Sequence, residues 1–204
     1  MLSQDLKEAS SNTRTPANAI DDEHILDAAR DLMSAIGIRR TTMADVARAA
    51  QVSRATLYRR YPNVQALAAA VTTREFSSAL AGLTPVPGEG AREGLVRTVV
   101  HLTSAARSHP LLRRIIELDP EFLVPYLFHR QGRTSRAQLD ILAERIQAGQ
   151  ESGSIRTGAP HELATVVLQC AWSSALTAPV FAAPHSDAQL DTQLFDLIER
   201  YLRP

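Results

Sequence analysis

The densest group of residues with recognisable chemistry lies between residues 39 and 60. This segment carries six arginines against a single aspartate, a local charge of +5, in a chain of 204 residues whose formal net charge is zero. Guanidinium and hydroxyl groups suit contacts with phosphates and base edges. Residues 1–38 balance to −4 and residues 61–204 to −1. A net charge of zero by itself argues against a nucleic-acid partner, but in this chain it hides a basic segment.

Patterns typical of enzymes do not occur in the sequence. It contains no Gly-x-Ser-x-Gly elbow, no glycine-rich phosphate loop and no His-Glu-x-x-His motif. Its six histidines include no pair at the i, i+4 spacing of a helical metal site. Cys170, the single cysteine, lies in an apolar stretch, where an inert buried thiol is expected. We therefore expect no catalytic residue, no metal site and no cofactor.

Targeting and membrane signals are also missing from the sequence. The first twenty residues are polar and lack the apolar core of a secretory signal. No apolar run approaches the roughly 18 residues that span a bilayer. One cysteine excludes an internal disulfide framework and fits a reducing compartment. We expect a cytoplasmic protein without a membrane partner.

Helical periodicity dominates the chain and predicts an all-α fold. The first helix is expected over residues 21–36, with Asp21 and Asp22 at its N-terminus and Gly37 after its end. A fourth helix is expected over residues 63–80, and further helices follow to the C-terminus. Residues 1–20 are expected to form a disordered arm.

Two short helices between residues 42 and 61 predict a helix-turn-helix. Thr42 and Ser53 are suited to cap them, and a break at residues 51–53 separates them. At about 100° per residue, Leu57 and Tyr61 face inward. The outward surface then consists of Arg54, Ala55, Thr56, Tyr58 and Arg59. A small residue ringed by such side chains suits contact with DNA, whereas an arbitrary basic helix face is more often merely solvated.

The run from Thr41 to Pro62 (TTMADVARAAQVSRATLYRRYP) resembles the helix-turn-helix signature of the tetracycline-repressor (TetR) family. Flanking residues 28–32 and 66–67 extend the similarity to about 60 of the 204 residues. Downstream, the chain resembles the family only in being helical and of suitable length.

This resemblance implies an all-helical homodimer with two domains. Residues 21–66 would form the helix-turn-helix DNA-binding domain, and residues 67–204 a helical domain for ligand binding and dimerisation. The resemblance implies contacts with double-stranded operator DNA from Thr42, Arg54, Ala55, Thr56, Tyr58 and Arg59. Together with Ser53 and the flanking Arg39, Arg40 and Arg60, these complete the predicted DNA-binding set.

The chain departs from the family pattern at two positions. Gln51 stands where the family usually has glycine in the turn, and a left-handed non-glycine residue costs about 1 kcal/mol. Val64 stands where a lysine usually begins the fourth helix, so one phosphate contact is in question. We expect Arg60 or the Arg39–Arg40 pair to replace it.

The last two helices predict the dimer interface. The helix beginning near Pro160 is apolar nearly all round and needs cover on every side, for which a second subunit is the natural source. A central helix buried in a monomer is the alternative. The expected interface residues are Val167, Cys170, Ala171, Leu190, Leu194, Leu197, Ile198 and Tyr201.

A pocket for a small apolar ligand is expected where prolines interrupt the helices around residues 110–125. Polar groups within apolar runs and nearby aromatic residues are the candidates for its lining. They are His101, Arg107, Phe122, Tyr126, Phe128, Gln169 and Trp172.

The sequence therefore predicts a DNA-binding transcriptional regulator, specifically a repressor that releases a palindromic operator when ligand binds. Two alternatives stay open at this point. One is a helical protein-interaction module that does not bind DNA, and the other is a regulator with no small-molecule inducer.

Overall fold

A computed structural model of the chain describes residues 17–81, 86, 88–124, 133–181 and 183–204. Across these ranges the secondary structure is helical and contains no strand, which confirms the predicted all-α class. The helices are α1 (Ala17–Ile36), α2 (Met43–Ala49), α3 (Arg54–Arg60), α4 (Val64–Ala81), α5 (Ala91–Ser108), α6 (Pro110–Leu118), α7 (Arg133–Glu151), α8 (Pro160–Phe181) and α9 (Asp187–Leu202). A 3₁₀ turn follows α6 at Pro120–Phe122.

The start of α1 differs from the sequence prediction. The helix begins at Ala17, within the arm expected over residues 1–20, and residues 1–16 lie outside the described part of the chain. Asp22 is therefore an internal helical residue and does not cap the N-terminus. Its carboxylate instead accepts hydrogen bonds from Tyr61 Oη at 2.9 Å and Arg60 Nη1 at 3.4 Å.

The N-terminal core is built from one stripe of each of the first four helices. Fully buried members include Ile25 and Met33 of α1, Val46 of α2 and Leu57 of α3. From α4 it takes Leu67, Ala68 and Val71, and from α6 it takes Leu111 and Ile115. The packing unit of the helix-turn-helix domain thus extends beyond residue 66 and includes part of α6.

A second core lies between the C-terminal helices. α5 packs against α7, α8 and α9, and α7 packs along α8. Val96, Ile146, Val167, Ile198 and Leu202 are each at most 1% exposed.

Across the described ranges, no helix is both long and apolar enough to cross a membrane.

α6 packs against α1, and the residue that follows α6 is bonded to the turn after α1. Asp119, 2% exposed, accepts a hydrogen bond from the backbone N–H of Ile38 at 2.6 Å through Oδ2. Arg114 Nε donates to the carbonyl of Ser34 at 3.0 Å. Gly37 ends α1 with a φ of +86°, and a Cβ built there would lie 2.6 Å from Asp119 Oδ2. Glycine is therefore required at this position by both backbone conformation and close approach.

Candidate DNA interface and ligand pocket

The start of α2 is fixed by a side-chain cap. Thr42 has an extended backbone, and its hydroxyl oxygen accepts a hydrogen bond from the N–H of Asp45 at 3.1 Å. The same hydroxyl donates to the Asp45 carboxylate at 2.6 Å. This hydrogen bond, with the charge of Arg48, holds the pKa of Asp45 below its ordinary value. The predicted cap at Thr42 is thereby confirmed.

The turn between α2 and α3 retains the left-handed geometry in which the family pattern uses glycine. Gln51 has a φ of +54°. Its N–H donates to the carbonyl of Arg48, and the next N–H, of Val52, donates to the carbonyl of Ala47 at 3.0 Å. These two bonds form the Schellman arrangement, in which the residue after the helix end is left-handed. Gln51 therefore reproduces the turn at the cost of backbone strain rather than reshaping it.

Ser53 caps α3 as the sequence predicted. Its hydroxyl oxygen accepts from the N–H of Thr56 at 3.0 Å. Leu57 is fully buried, whereas Arg54, Ala55, Tyr58 and Arg59 are exposed and Thr56 is half-buried.

The exposed surface of α3 therefore matches the predicted outward face at Arg54, Ala55, Tyr58 and Arg59 but not at Thr56. Tyr58 is 52% exposed, which is unusual for so large a ring and leaves its hydroxyl accessible.

The end of α3 is anchored to α1, and this changes the prediction for Arg60. Its side chain is only 17% exposed and pairs with Asp22. Tyr61 donates to the same carboxylate, and burial together with that hydrogen bond raises the pKa of the Tyr61 phenol. Arg60 was predicted to contact DNA, but in the structure it fixes the orientation of α3 against α1.

The segment before α2 presents two further arginines. Arg39 and Arg40 are exposed, as a phosphate contact requires. Arg39 Nη1 lies 3.3 Å from Glu121 Oε1 of the 3₁₀ turn, and both side chains are more than half exposed. Val64, in place of the family's lysine, packs against the N-terminal core. Its side chain is therefore committed to packing rather than to DNA.

A cavity of about 770 Å³ lies between α4, α5, α6, α7 and α8. Its walls are mainly aliphatic, as expected for a pocket that takes an apolar molecule. Phe122, Gln169 and Trp172 line it, as the sequence analysis proposed. Trp172 Nε1 donates to Gln138 Oε1 at 3.2 Å, which fixes the indole against α7.

Other predicted pocket residues lie elsewhere. His101 is exposed on α5 and does not line the cavity. Arg107 is 7% exposed and points to α9, where it pairs with Asp191 and approaches Asp187. A buried guanidinium needs such carboxylates, so Arg107 serves the α5–α9 contact and was wrongly placed in the pocket. Tyr126 and Phe128 lie outside the described residues.

The sequence analysis missed a polar pair on the cavity wall. Glu75 of α4 and His109, which precedes α6, both line the cavity, and Glu75 Oε2 lies 3.2 Å from His109 Nε2. The two residues are 34 positions apart. Glu75 follows Arg74 within α4, and no local sequence signal marks it as a cavity residue. Only the packing of α4 against α5 and α7, and of α5 against α6, brings it to the cavity beside His109.

The predicted dimer interface is corrected in part. Val167, Leu194 and Ile198 are buried within the chain's own C-terminal core, and Ala171 is also buried. Cys170, Leu190 and Tyr201 are half-buried, and the Tyr201 ring lies under the Arg156 guanidinium. Leu197 is 56% exposed.

The exposed face of α8 is mostly polar, so the expected need for cover on every side does not arise. Val166, 39% exposed, is an apolar residue on that face that the prediction did not include.

A capped helix pair with an exposed basic face, joined by a packed helix to a domain with a large cavity, defines a helix-turn-helix transcriptional regulator. The family model for bacterial regulatory proteins of the tetR family matches residues 25–71. A curated relative, an HTH-type transcriptional regulator of Mycobacterium bovis, is 33% identical over 178 residues, which cover 87% of this chain and 92% of that protein. The chain belongs to the tetR family.

Two solved structures illustrate the shared fold. GusR of Salmonella enterica is 22% identical with a TM-score of 0.64, over 94% of this chain and 99% of that one. A complex of SmeT with triclosan is 18% identical with a TM-score of 0.62, over 91% of this chain and 92% of that one. At these identities the likeness establishes the fold.

Proposed function

We propose that the protein is a repressor that binds a two-fold symmetric DNA operator as a homodimer and releases it when a small molecule occupies the cavity. The observation that carries this proposal is the sharing of Leu111 and Ile115. Both residues line the cavity and both belong to the N-terminal core. A change in the cavity therefore reaches the helix-turn-helix domain directly. The site of action would be the cytoplasm.

The exposed face of α3 supports the DNA-binding part of the proposal. Arg54 lies in the first turn, and Tyr58 and Arg59 lie one turn further along the helix. With Ala55 between them, the helix can approach the floor of the major groove while the longer side chains reach base edges and phosphates. Thr42 and Arg40, exposed at the start of α2, are placed to contact the neighbouring phosphates.

Two helices carry the connection between the cavity and this face. α4 lines the cavity with Thr72, Glu75 and Phe76 and contributes Leu67 and Val71 to the N-terminal core one or two turns earlier. α6 lines the cavity with Leu112 and is followed by Asp119, which bonds the turn before α2. A ligand that binds better to a second arrangement of α4 and α6 would shift the population away from the DNA-binding one.

Dimerisation through α8 and α9 is supported by their exposed apolar side chains. Val166 of α8 and Leu197 of α9 are exposed in the single chain, and Phe181 at the end of α8 is 72% exposed. Contact of these side chains with a second copy of the chain would remove their apolar surface from water. A two-fold dimer would place the two α3 helices about one DNA turn, or a multiple of it, apart.

An electrophoretic mobility-shift experiment with the DNA upstream of the protein's own gene tests the proposal. We expect a salt-sensitive complex with a stoichiometry of one dimer per site, and loss of that complex in an Arg59→Ala Tyr58→Phe double variant. Arg136→Ala, which removes an exposed arginine of α7, is the matched control. An unchanged affinity and salt dependence in the double variant would contradict the site. A complex that no tested compound dissociates would favour a regulator without an inducer.

A further inference from the structure

The polar end of the cavity is organised around the Glu75 carboxylate. Oε1 accepts hydrogen bonds from Arg74 Nη2 at 2.8 Å and Nε at 3.2 Å. Oε2 lies 3.2 Å from His109 Nε2. Since His109 Nδ1 accepts the N–H of Leu111 at 3.3 Å, the proton of a neutral imidazole sits on Nε2 and donates to Glu75. Oε2 receives this one bond and retains acceptor capacity toward the cavity.

Four threonine hydroxyl groups on the wall add acceptors rather than donors. Thr72, Thr98, Thr103 and Thr177 line the cavity, and each donates its hydroxyl hydrogen to a carbonyl four residues earlier in its own helix. Their oxygens therefore present lone pairs to a bound molecule. Such a wall favours a ligand whose polar group donates hydrogen bonds.

The charge around Glu75 favours a cation. Arg74 lies 2.8 Å from Glu75, 3.1 Å from Glu23 and 3.0 Å from Asp27, and Arg30 lies 3.1 Å from Asp27, so two guanidinium groups serve three carboxylates. This group keeps a net negative charge. Partial burial alone would raise the pKa of Glu75, but hydrogen bonds from Arg74 and His109 outweigh it and hold the pKa below its ordinary value. Glu75 is therefore anionic at neutral pH. Arg145 of α7 is a basic residue that also lines the cavity, and its side chain is exposed to solvent.

We propose that the cavity takes an amphiphilic amine, whose protonated nitrogen donates to Glu75 Oε2 while its apolar body fills the aliphatic space. This assignment rests on the proposed ligand-responsive function and names the class of its ligand. The cavity volume of about 770 Å³ is within the usual range for a small-molecule site.

The position of His109 connects this amine to release of DNA. His109 caps the N-terminus of α6 through Nδ1 and bonds α4 through Nε2. An ammonium group on Glu75 would share Oε2 with that second bond and so place a positive charge beside the His109 imidazole. The amine thus acts on the joint between α4 and α6, the two helices that continue into the N-terminal core.

Fluorescence of Trp172 provides the test, because it is the single tryptophan of the chain and lines the cavity. Full-length protein is titrated with decylammonium, 1-decanol and decanoate, which share one apolar tail and differ in the head group. We expect decylammonium to bind about tenfold tighter than decanol, the ratio expected for one charge-assisted hydrogen bond, and decanoate to bind weakest. In Glu75→Gln the preference for the amine should disappear while decanol binding stays the same.

Glu144→Gln, which changes an exposed carboxylate of α7 outside the described lining, is the matched control and should keep the preference. The proposal is overturned if decanol or decanoate binds as tightly as the amine, if no probe binds, or if the preference survives in Glu75→Gln. Operator binding without probe is measured in the same preparations. If the wild type binds operator but shows no preference for the amine, only the proposed ligand class is rejected. If the wild type does not bind operator, the proposed function itself is rejected.

Discussion

The carboxylate of Asp119 accepts the backbone N–H of Ile38 at 2.6 Å, across 81 positions of sequence. Asp119 follows α6, whose residues line the cavity, and Ile38 lies in the turn that leads to α2. The bond is buried, so solvent does not compete for it. One hydrogen bond therefore ties the cavity wall to the entrance of the helix-turn-helix.

Replacement of Asp119 by alanine should destabilise the protein by about 1–3 kcal/mol, because the buried N–H of Ile38 loses its acceptor. Asp119→Asn retains one oxygen and should cost less. Urea denaturation followed by circular dichroism measures both. Glu117→Ala, at an exposed position of α6, is the control and should leave the free energy of unfolding nearly unchanged. An Asp119→Ala variant as stable as that control would show that the bond contributes nothing.

Two adjacent arginines should respond differently to substitution. Arg59 is exposed on α3, whereas Arg60 is half-buried against Asp22. Arg59→Ala should weaken operator binding and lower the slope of log affinity against log salt by about one, with unchanged thermal stability. Arg60→Ala should lower the melting temperature and leave the salt slope near the wild-type value. Equal salt slopes for the two variants would contradict this division of roles.

Gln51 carries a backbone strain that glycine would relieve. Its φ of +54° is left-handed, and its side chain is exposed, so little packing is lost on substitution. Gln51→Gly should stabilise the protein by up to about 0.5 kcal/mol, the relief of left-handed strain less the greater entropy of unfolded glycine. Gln51→Val should destabilise it, since a branched side chain tolerates this conformation poorly. A denaturant midpoint that falls in Gln51→Gly and rises in Gln51→Val would contradict a strained backbone at Gln51.

Acid should destabilise the protein in part through Glu75. Its pKa is lowered in the folded chain, so its contribution to stability is fully present above the ordinary carboxyl pKa and is lost as the pH falls through the lowered value. In Glu75→Gln the free energy of unfolding should therefore decline less steeply between about pH 7 and about pH 3. Urea midpoints across this range measure the slope. The Glu144→Gln control should follow the wild type, and a Glu75→Gln slope equal to wild type would exclude the contribution.

Local signals in the sequence were sufficient for the helix-turn-helix. The caps at Thr42 and Ser53, the left-handed turn at Gln51 and the burial of Leu57 each depend on residues within one or two helical turns. Polar groups within apolar runs and aromatic residues near the interrupting prolines also pointed to Phe122, Gln169 and Trp172, which line the cavity. Periodicity shows that a helix has an apolar face, but it did not indicate whether the chain's own helices or a second subunit covers that face. Leu194 and Ile198, expected at a dimer interface, are buried by the chain's own helices.

The sequence by itself determined the all-α class, the caps of α2 and α3 and the basic segment of the helix-turn-helix, because these features arise from neighbours along the chain. Tertiary structure decided which partner each long side chain meets. Arg60 turns back to Asp22, Arg107 turns to Asp191, and Glu75 meets His109 at the wall of the cavity. Each of these pairs joins two helices, so its members become neighbours only after the helices have packed. The +5 segment thus keeps Arg40, Arg54 and Arg59 on the exposed surface and commits Arg60 to the orientation of α3.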